Sequence, residues 1–215
     1  DDGRQVVRFG RRARLEHLLV MLTFVLLLLT GLPQKFSDSS WAIWLTQHLG
    51  GIDWMRTIHR ATGVVFTALC TVHLATALFG VLSGRMDMNI VPDRSDFRAA
   101  VQNLKYYIGL APAAPRFGRF DYRQKFEYWG MVVGSGVMVV SGFVLYFTLL
   151  FAEYLPGQLI PAAKAAHSYE AMMALLTIII WHMYGAHLNP ECFPIDKSIF
   201  TGRISLARLR HEHAL

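Results

Sequence analysis

The sequence predicts an all-α fold: a four-helix transmembrane bundle with both termini cytoplasmic. Three observations carry that expectation. Of 215 residues, 53% are hydrophobic and only 17% charged, with a mean hydropathy of +0.34; a soluble domain carries about a quarter charged residues. Four segments are long and apolar enough to cross about 30 Å of hydrocarbon. Lysine and arginine fall largely on one side of those segments. The length suits one integral-membrane domain, 1–215, rather than two. This composition excludes a disordered chain, a nucleic-acid arm and an ordinary cytosolic enzyme. The chain opens on Asp1 rather than Met, which leaves room for residues upstream.

The first span runs over about 15–32 (LEHLLVMLTFVLLLLTGL) and is expected to stop at Gly31 and Pro33. The second covers 58–82, the third 128–151, and the fourth 165–188, ahead of Pro190. All are too long for strands, and lipid demands segments that satisfy their own backbone, so each is a helix. The outer loop 34–55 carries Trp41, Trp44 and Trp54, which suit an interfacial aromatic belt. The connection 83–127 is long for a bundle. Within it DRSDFRAAVQNLKYYIG offers a capping residue and apolar positions at Phe97, Val101, Leu104 and Ile108. That is a short amphipathic helix, lying on the membrane surface or docking a cytoplasmic subunit. APAAPRFGRF follows as an extended connector, and 189–215 is a tail. No internal repeat is evident. Cys70 and Cys192 form no CxxC or CxxCH, so neither a thiolate metal site nor covalent haem attachment is encoded.

Of the 21 Lys and Arg, 17 lie before the first span, in the 83–127 connection (Arg119 among them) or in the tail (Arg210 among them). Only Lys35, Arg56, Arg60 and Lys164 fall on the other side. The positive-inside rule then makes the termini and the long connection cytoplasmic. The net charge of +6 is explained by topology, and no nucleic-acid partner is expected.

The histidines carry the chemistry. Six of nine lie in or at the ends of the spans: His17, His59, His73, His167, His182 and His187. One such residue is ordinarily a hydrogen-bonded core side chain; six over three helices are not explained that way. His59 and His73 are 14 apart, which at about 100° and 1.5 Å per residue puts them on one face, roughly 21 Å apart in depth. His167 and His182 are 15 apart, about 60° of rotation and roughly 22 Å. His59 and His167 therefore share an outer level, and His73 and His182 an inner one, where His17 and His187 also fall. Imidazoles facing each other in two layers are what two bis-histidine b haems require. Zinc wants one tight cluster, and a proton relay wants buried acids, of which the spans hold little beyond Glu16 and Glu170.

RRARLEH entering the first span, TGLP closing it, RTIHRATG opening the second and AHSYEAMMALLTIIIWHMYGAHLNPECFP in the fourth resemble the cytochrome b (gamma) subunit family of membrane-bound formate dehydrogenases and related respiratory oxidoreductases. The resemblance covers nearly the whole chain. It implies an outer haem between His59 and His167 and an inner haem between His17 and His182. The fourth-span histidines are 15 apart where the family pattern has 14. By depth alone His73 also fits opposite His182, leaving His17 to face His187, so a third haem stands as the alternative to two. For His187 a plainer role is a hydrogen bond to a haem propionate or a quinone carbonyl. Gly63, Gly130, Gly134, Gly136 and Gly142 let macrocycles or neighbouring helices approach, as small residues in any membrane bundle do. Arg56 and Arg60 flank His59 where a propionate wants a fork-shaped cation, or serve as membrane-edge anchors; Arg11, Arg12 and Arg14 offer the same within.

Haems at two depths make a wire across the membrane, and no flavin, nucleotide or iron–sulfur fingerprint supplies a source or sink. The expected function is the quinone-reactive membrane anchor of a respiratory complex, exchanging electrons between a partner subunit and menaquinone or ubiquinone in the bacterial inner (cytoplasmic) membrane. The resemblance puts the quinone near the inner haem and the partner, an iron–sulfur or multihaem c-type subunit, outside. Candidate quinone residues are His187, Asn189, Asn103, Gln102 and Tyr184. The alternatives are a stand-alone transmembrane haem reductase and a haem-free transporter or structural anchor.

Overall fold

The computed structural model describes residues 4–86, 88–118, 120–188, 193–206 and 208. Its frame is four long apolar helices, each long enough to cross a membrane. Helix α1 (Arg11–Lys35) is followed by a short connecting helix α2 (Ser40–His48) and by α3 (Ile52–Leu82). Helix α4 (Arg94–Tyr107) occupies the long connection. Then come α5 (Tyr122–Tyr146), a short α6 (Thr148–Tyr154) and α7 (Leu159–Leu176), which runs on through π-helical turns at Thr177–His182 and Tyr184–Leu188. A one-turn α8 (Ser198–Thr201) follows.

Each span begins before its apolar core and some end differently from expectation. Helix α1 passes Gly31 and Pro33 and stops at Lys35. So near the C-terminus the missing proline N–H forfeits one backbone bond without disturbing a following turn. The third span breaks at Phe147 rather than running to Phe151. There the Thr148 hydroxyl donates to the Leu145 carbonyl at 2.8 Å, an alternative to the regular ladder that hydroxyl side chains offer.

The spans pair as two hairpins: α1 packs chiefly on α3, and α5 on α7, while the hairpins meet more sparingly along a seam. Small and hydroxyl residues (Thr23, Thr30, Thr62, Gly134, Ser141, Ala163) fill the buried helix contacts, as membrane bundles do where close approach replaces the hydrophobic drive. Large apolar side chains such as Leu22, Val65, Val133 and Ile180 point outward. At one end of the seam Lys35 Nζ donates to Ser168 Oγ at 3.1 Å and lies 4.3 Å over the Tyr169 ring.

Helix α4 carries a full capping box at Asp93 and Asp96. The hydroxyl and N–H of Ser95 hold the Asp93 carboxyl below its usual range. Lys125, buried at the start of α5, pairs with Asp96 at 2.8 Å and so anchors α4 to the bundle; a buried ammonium is tolerable because it is paired. The stripe Phe97, Val101, Leu104 and Ile108 is exposed, as an amphipathic surface helix requires. Trp41, Trp44 and Trp54 are exposed at the opposite end.

A feature absent from the sequence reading ties the chain ends together. Strand β1 (Gln5–Val7) pairs antiparallel with β2 (Arg203–Ser205), with Val6 opposite a buried Ile204. The two terminal segments therefore lie on one side of the bundle, as an even number of spans demands.

Candidate haem site

Two pairs of histidine rings face each other across the seam at two depths. His59 on α3 and His167 on α7 have ring centroids 6.2 Å apart and planes inclined at 75°. His17 on α1 and His182 in the first π turn also stand 6.2 Å apart, with planes at 33°. Each pair takes one ring from each hairpin.

The extra residue in the fourth span explains how both of its histidines reach the seam. Fifteen purely α-helical steps would rotate His182 about 60° from His167. The π-helical turn at Thr177–His182 takes up one residue, so the pair faces as if 14 apart. Such single-turn π segments are frequent at functional sites.

Each hairpin orients its own rings. Thr30 on α1 sits with Oγ1 3.0 Å from His59 Nδ1, and its hydroxyl already donates to the Leu26 carbonyl at 2.6 Å. The oxygen can then only accept, so Nδ1 carries the proton and Nε2 keeps a free lone pair. Ser141 on α5 repeats the device: Oγ lies 3.0 Å from His167 Nδ1 and donates to the Val137 carbonyl at 2.6 Å. The residue after each hydroxyl is glycine. A Cβ at Gly31 would lie 2.9 Å from His59 Cε1, and one at Gly142 would lie 3.2 Å from His167 Cε1. In the second pair His182 Nδ1 donates to the Glu127 carboxylate of α5.

This donor set fits bis-histidine haem. Imidazole nitrogen–metal bonds run about 2.0–2.1 Å and a ring centre lies about 1.1 Å behind its nitrogen, which puts trans rings about 6.3 Å apart. Both pairs match that span. Among the described residues no cluster of three or more His, Cys, Asp or Glu could hold a bare metal ion. Two facing rings suit an iron whose other four ligands come from a macrocycle. Beside His17 a hollow of about 400 Å³ is lined by Arg11, Arg14, Leu18, Met21 and Phe200. Arg14 Nε is buried there without a partner, as is His187 Nδ1 in the second π turn. An orphan guanidinium donor is what a propionate would satisfy.

The other candidates are placed as follows. His73 has both nitrogens engaged, Nδ1 with Glu16 and Nε2 with Tyr128, each at 3.2 Å, and faces no second histidine among the described residues. Arg56 lies 3.6 Å from Asp53, and Arg60 stacks on Tyr146 at 5.5 Å. Arg12 bonds Glu16 and Thr76, each at 2.6 Å. Asn103 is buried and donates to the Tyr122 hydroxyl at 3.0 Å; Gln102 and Tyr184 are exposed. Asn189, like Cys192, Arg119 and Arg210, lies outside the described residues. Of the glycines named from sequence, Gly142 backs His167 and Gly134 backs Glu170, whereas Gly63, Gly130 and Gly136 face open space. Sequence reasoning missed the ring-holding roles of Thr30, Ser141, Gly31 and Glu127; the hydroxyl–glycine dipeptides at 30–31 and 141–142 also occur at 62–63, 83–84, 135–136 and 201–202, so they single out neither.

The chain is 27% identical over 182 residues to the formate dehydrogenase cytochrome b556 subunit of Haemophilus influenzae, covering 85% of this chain and 71% of that protein. It is 26% identical over 181 residues to the formate dehydrogenase cytochrome b556(fdo) subunit of Escherichia coli K12, covering 84% and 78%. Residues 8–202 match the family described as prokaryotic cytochrome b561. With four apolar helices and histidines facing in two layers, this chain belongs to that family, the prokaryotic cytochromes b561, and is a multi-pass haem b protein of the bacterial inner membrane.

Proposed function

We propose that this single-domain chain is a di-haem cytochrome b subunit that anchors a respiratory complex and exchanges electrons between a partner redox subunit and quinone. The observation that carries the reading is the recurrence of one 6.2 Å ring spacing at two depths. The levels are about 20 Å apart, from the 14 effective helical steps between His167 and His182. Bound b-type haem supplies reversible one-electron transfer at iron. The protein's part is to hold the His59, His167 and His182 imidazoles in one tautomer, to keep a macrocycle-sized seam open at Gly31 and Gly142, and to offer cations at the inner rim.

Two haems are favoured over three because His73 is committed at both nitrogens to Glu16 and Tyr128. On this reading His17 and His182 would hold one haem, and His59 and His167 the other, a choice that the two ring pairs support. His187, with its unpartnered buried Nδ1, remains the first choice for a polar contact to a propionate or a quinone carbonyl, with Asn189 nearby in sequence. The named relatives are formate dehydrogenase subunits, which supports a partner carrying iron–sulfur or c-haem centres on the outer side. Seventeen inward-counted basic residues support cytoplasmic termini. Reduction of quinone to quinol takes two electrons from the chain and two protons, so an inner site fed from outside is electrogenic.

The test is a dithionite-minus-oxidised spectrum with pyridine haemochrome quantification on purified chain expressed with ample haem. Two haem b per polypeptide is the expected result. None sinks the electron-transfer reading; three requires His73 and His187 to ligate.

A further inference from the structure

The facing histidines are not all held alike. His59 and His167 lean on the neutral hydroxyls of Thr30 and Ser141. His182 instead gives its Nδ1–H to a carboxylate, Glu127, set near the inner end of α5. Both side chains are largely covered, at 35% and 22% exposure, so the negative charge acts through a medium less screening than water. No carboxylate faces the outer pair among the hydrogen bonds of the described residues.

We infer that Glu127 is a positioning residue that lowers the reduction potential of the inner haem by acting through His182. A carboxylate accepting the distal N–H of a ligating imidazole raises that ligand's basicity. A stronger donor favours ferric over ferrous iron, and hydrogen bonding around the ligand is one of the levers by which a protein sets a haem's potential. The outer pair, held by hydroxyls, has no such bias. The two haems are therefore tuned independently, each by groups on the same hairpin as the ring they hold. The inference rests on haem occupying the His17–His182 pair.

The ring planes supply the means of telling the two apart. Imidazoles near perpendicular leave the iron dπ orbitals close in energy, which gives a strongly anisotropic low-spin ferric resonance. Rings nearer to parallel split those orbitals and give a rhombic one. The 75° outer pair should show the first and the 33° inner pair the second.

The experiment is a redox titration of the purified full chain with its haems, at a single pH, followed by electron paramagnetic resonance. In Glu127→Gln the rhombic component is expected to shift at least tenfold toward the ferrous form, about 59 mV upward for a one-electron couple. The anisotropic component should stay in place. Glu127→Asp, which keeps the charge, should titrate with the parent. The inference is overturned if both haems are retained in Glu127→Gln with the rhombic component unmoved, or if both components move together. If Glu127→Gln loses the inner haem, the Asp variant decides: a rhombic potential no higher than the parent's supports the inference, and a higher one overturns it. A parent protein with fewer than two haems would instead refute the underlying di-haem reading, a result distinct from an unresponsive Gln variant.

Discussion

Replacing Gly31 with alanine tests the outer site at its tightest point. The new Cβ would stand 2.9 Å from His59 Cε1 and 3.4 Å from its Nδ1. Carbon atoms settle at about 3.5–4.0 Å, so the ring must withdraw by about 0.6 Å or more. Metal–ligand distances tolerate only about 0.2 Å of departure. The withdrawal also strains the 3.0 Å contact with Thr30 that fixes the tautomer. Gly142→Ala makes the same demand on His167 more gently, since its Cβ would stand 3.2 Å away and about 0.3 Å of relief suffices. Alanine favours helix over glycine by about 1 kcal/mol, so neither change weakens the helix itself. The expectation is graded. Gly31→Ala should fall to about one haem per chain by pyridine haemochrome, the survivor being the inner one, while Gly142→Ala keeps two with the outer one bound more weakly. Gly31→Ala with two haems and an unchanged outer signal would refute the packing argument.

Two further outcomes follow from the same geometry. His59→Ala and His167→Ala should each remove the same haem, His17→Ala and His182→Ala the other, while His73→Ala keeps both; haem counts and low-temperature spectra of the five variants check the pairing. At the surface, the Asp93 carboxylate sits below its usual range in the folded protein, so its contribution to α4 is present above the ordinary aspartate range and fades as pH falls through the folded value. Hydrogen-exchange protection at Ser95 and Asp96, measured against the intrinsic rate at each pH, should fall on acidification, and in Asp93→Ala at neutral pH, with α5 amides unaffected.

The spans and the depths of their histidines were readable because hydropathy and helical rise act on every residue of a long segment. What holds the rings was not. Thr30 and Ser141 bond the carbonyl four residues back, as do Thr23, Thr67, Thr71 and Thr76, so sequence offers nothing to distinguish the two hydroxyls that also receive an imidazole. The spacing of 15 between His167 and His182 was visible as an irregularity, but only the backbone reveals the π turn that absorbs it. The break at Phe147 falls in FVLYFTLLF, which contains neither glycine nor proline. Glu127 stood at the margin of its span, where a carboxylate reads as a solvated end until the π turn at Thr177–His182 sets His182 against it.

The β1–β2 ribbon has a bearing on how the molecule is assembled. Its second strand leaves the ribosome only after the four spans that separate it from the first, a wait on the order of ten to forty seconds at about 5–20 residues per second. Until then Phe200, which walls the hollow beside His17, and Gly202, whose carbonyl receives the N–H groups of Arg8 and Phe9, are not in place. The inner end of the seam is thus a doorway during biogenesis and a closed clasp afterwards. A cofactor entering there needs no opening of the finished bundle.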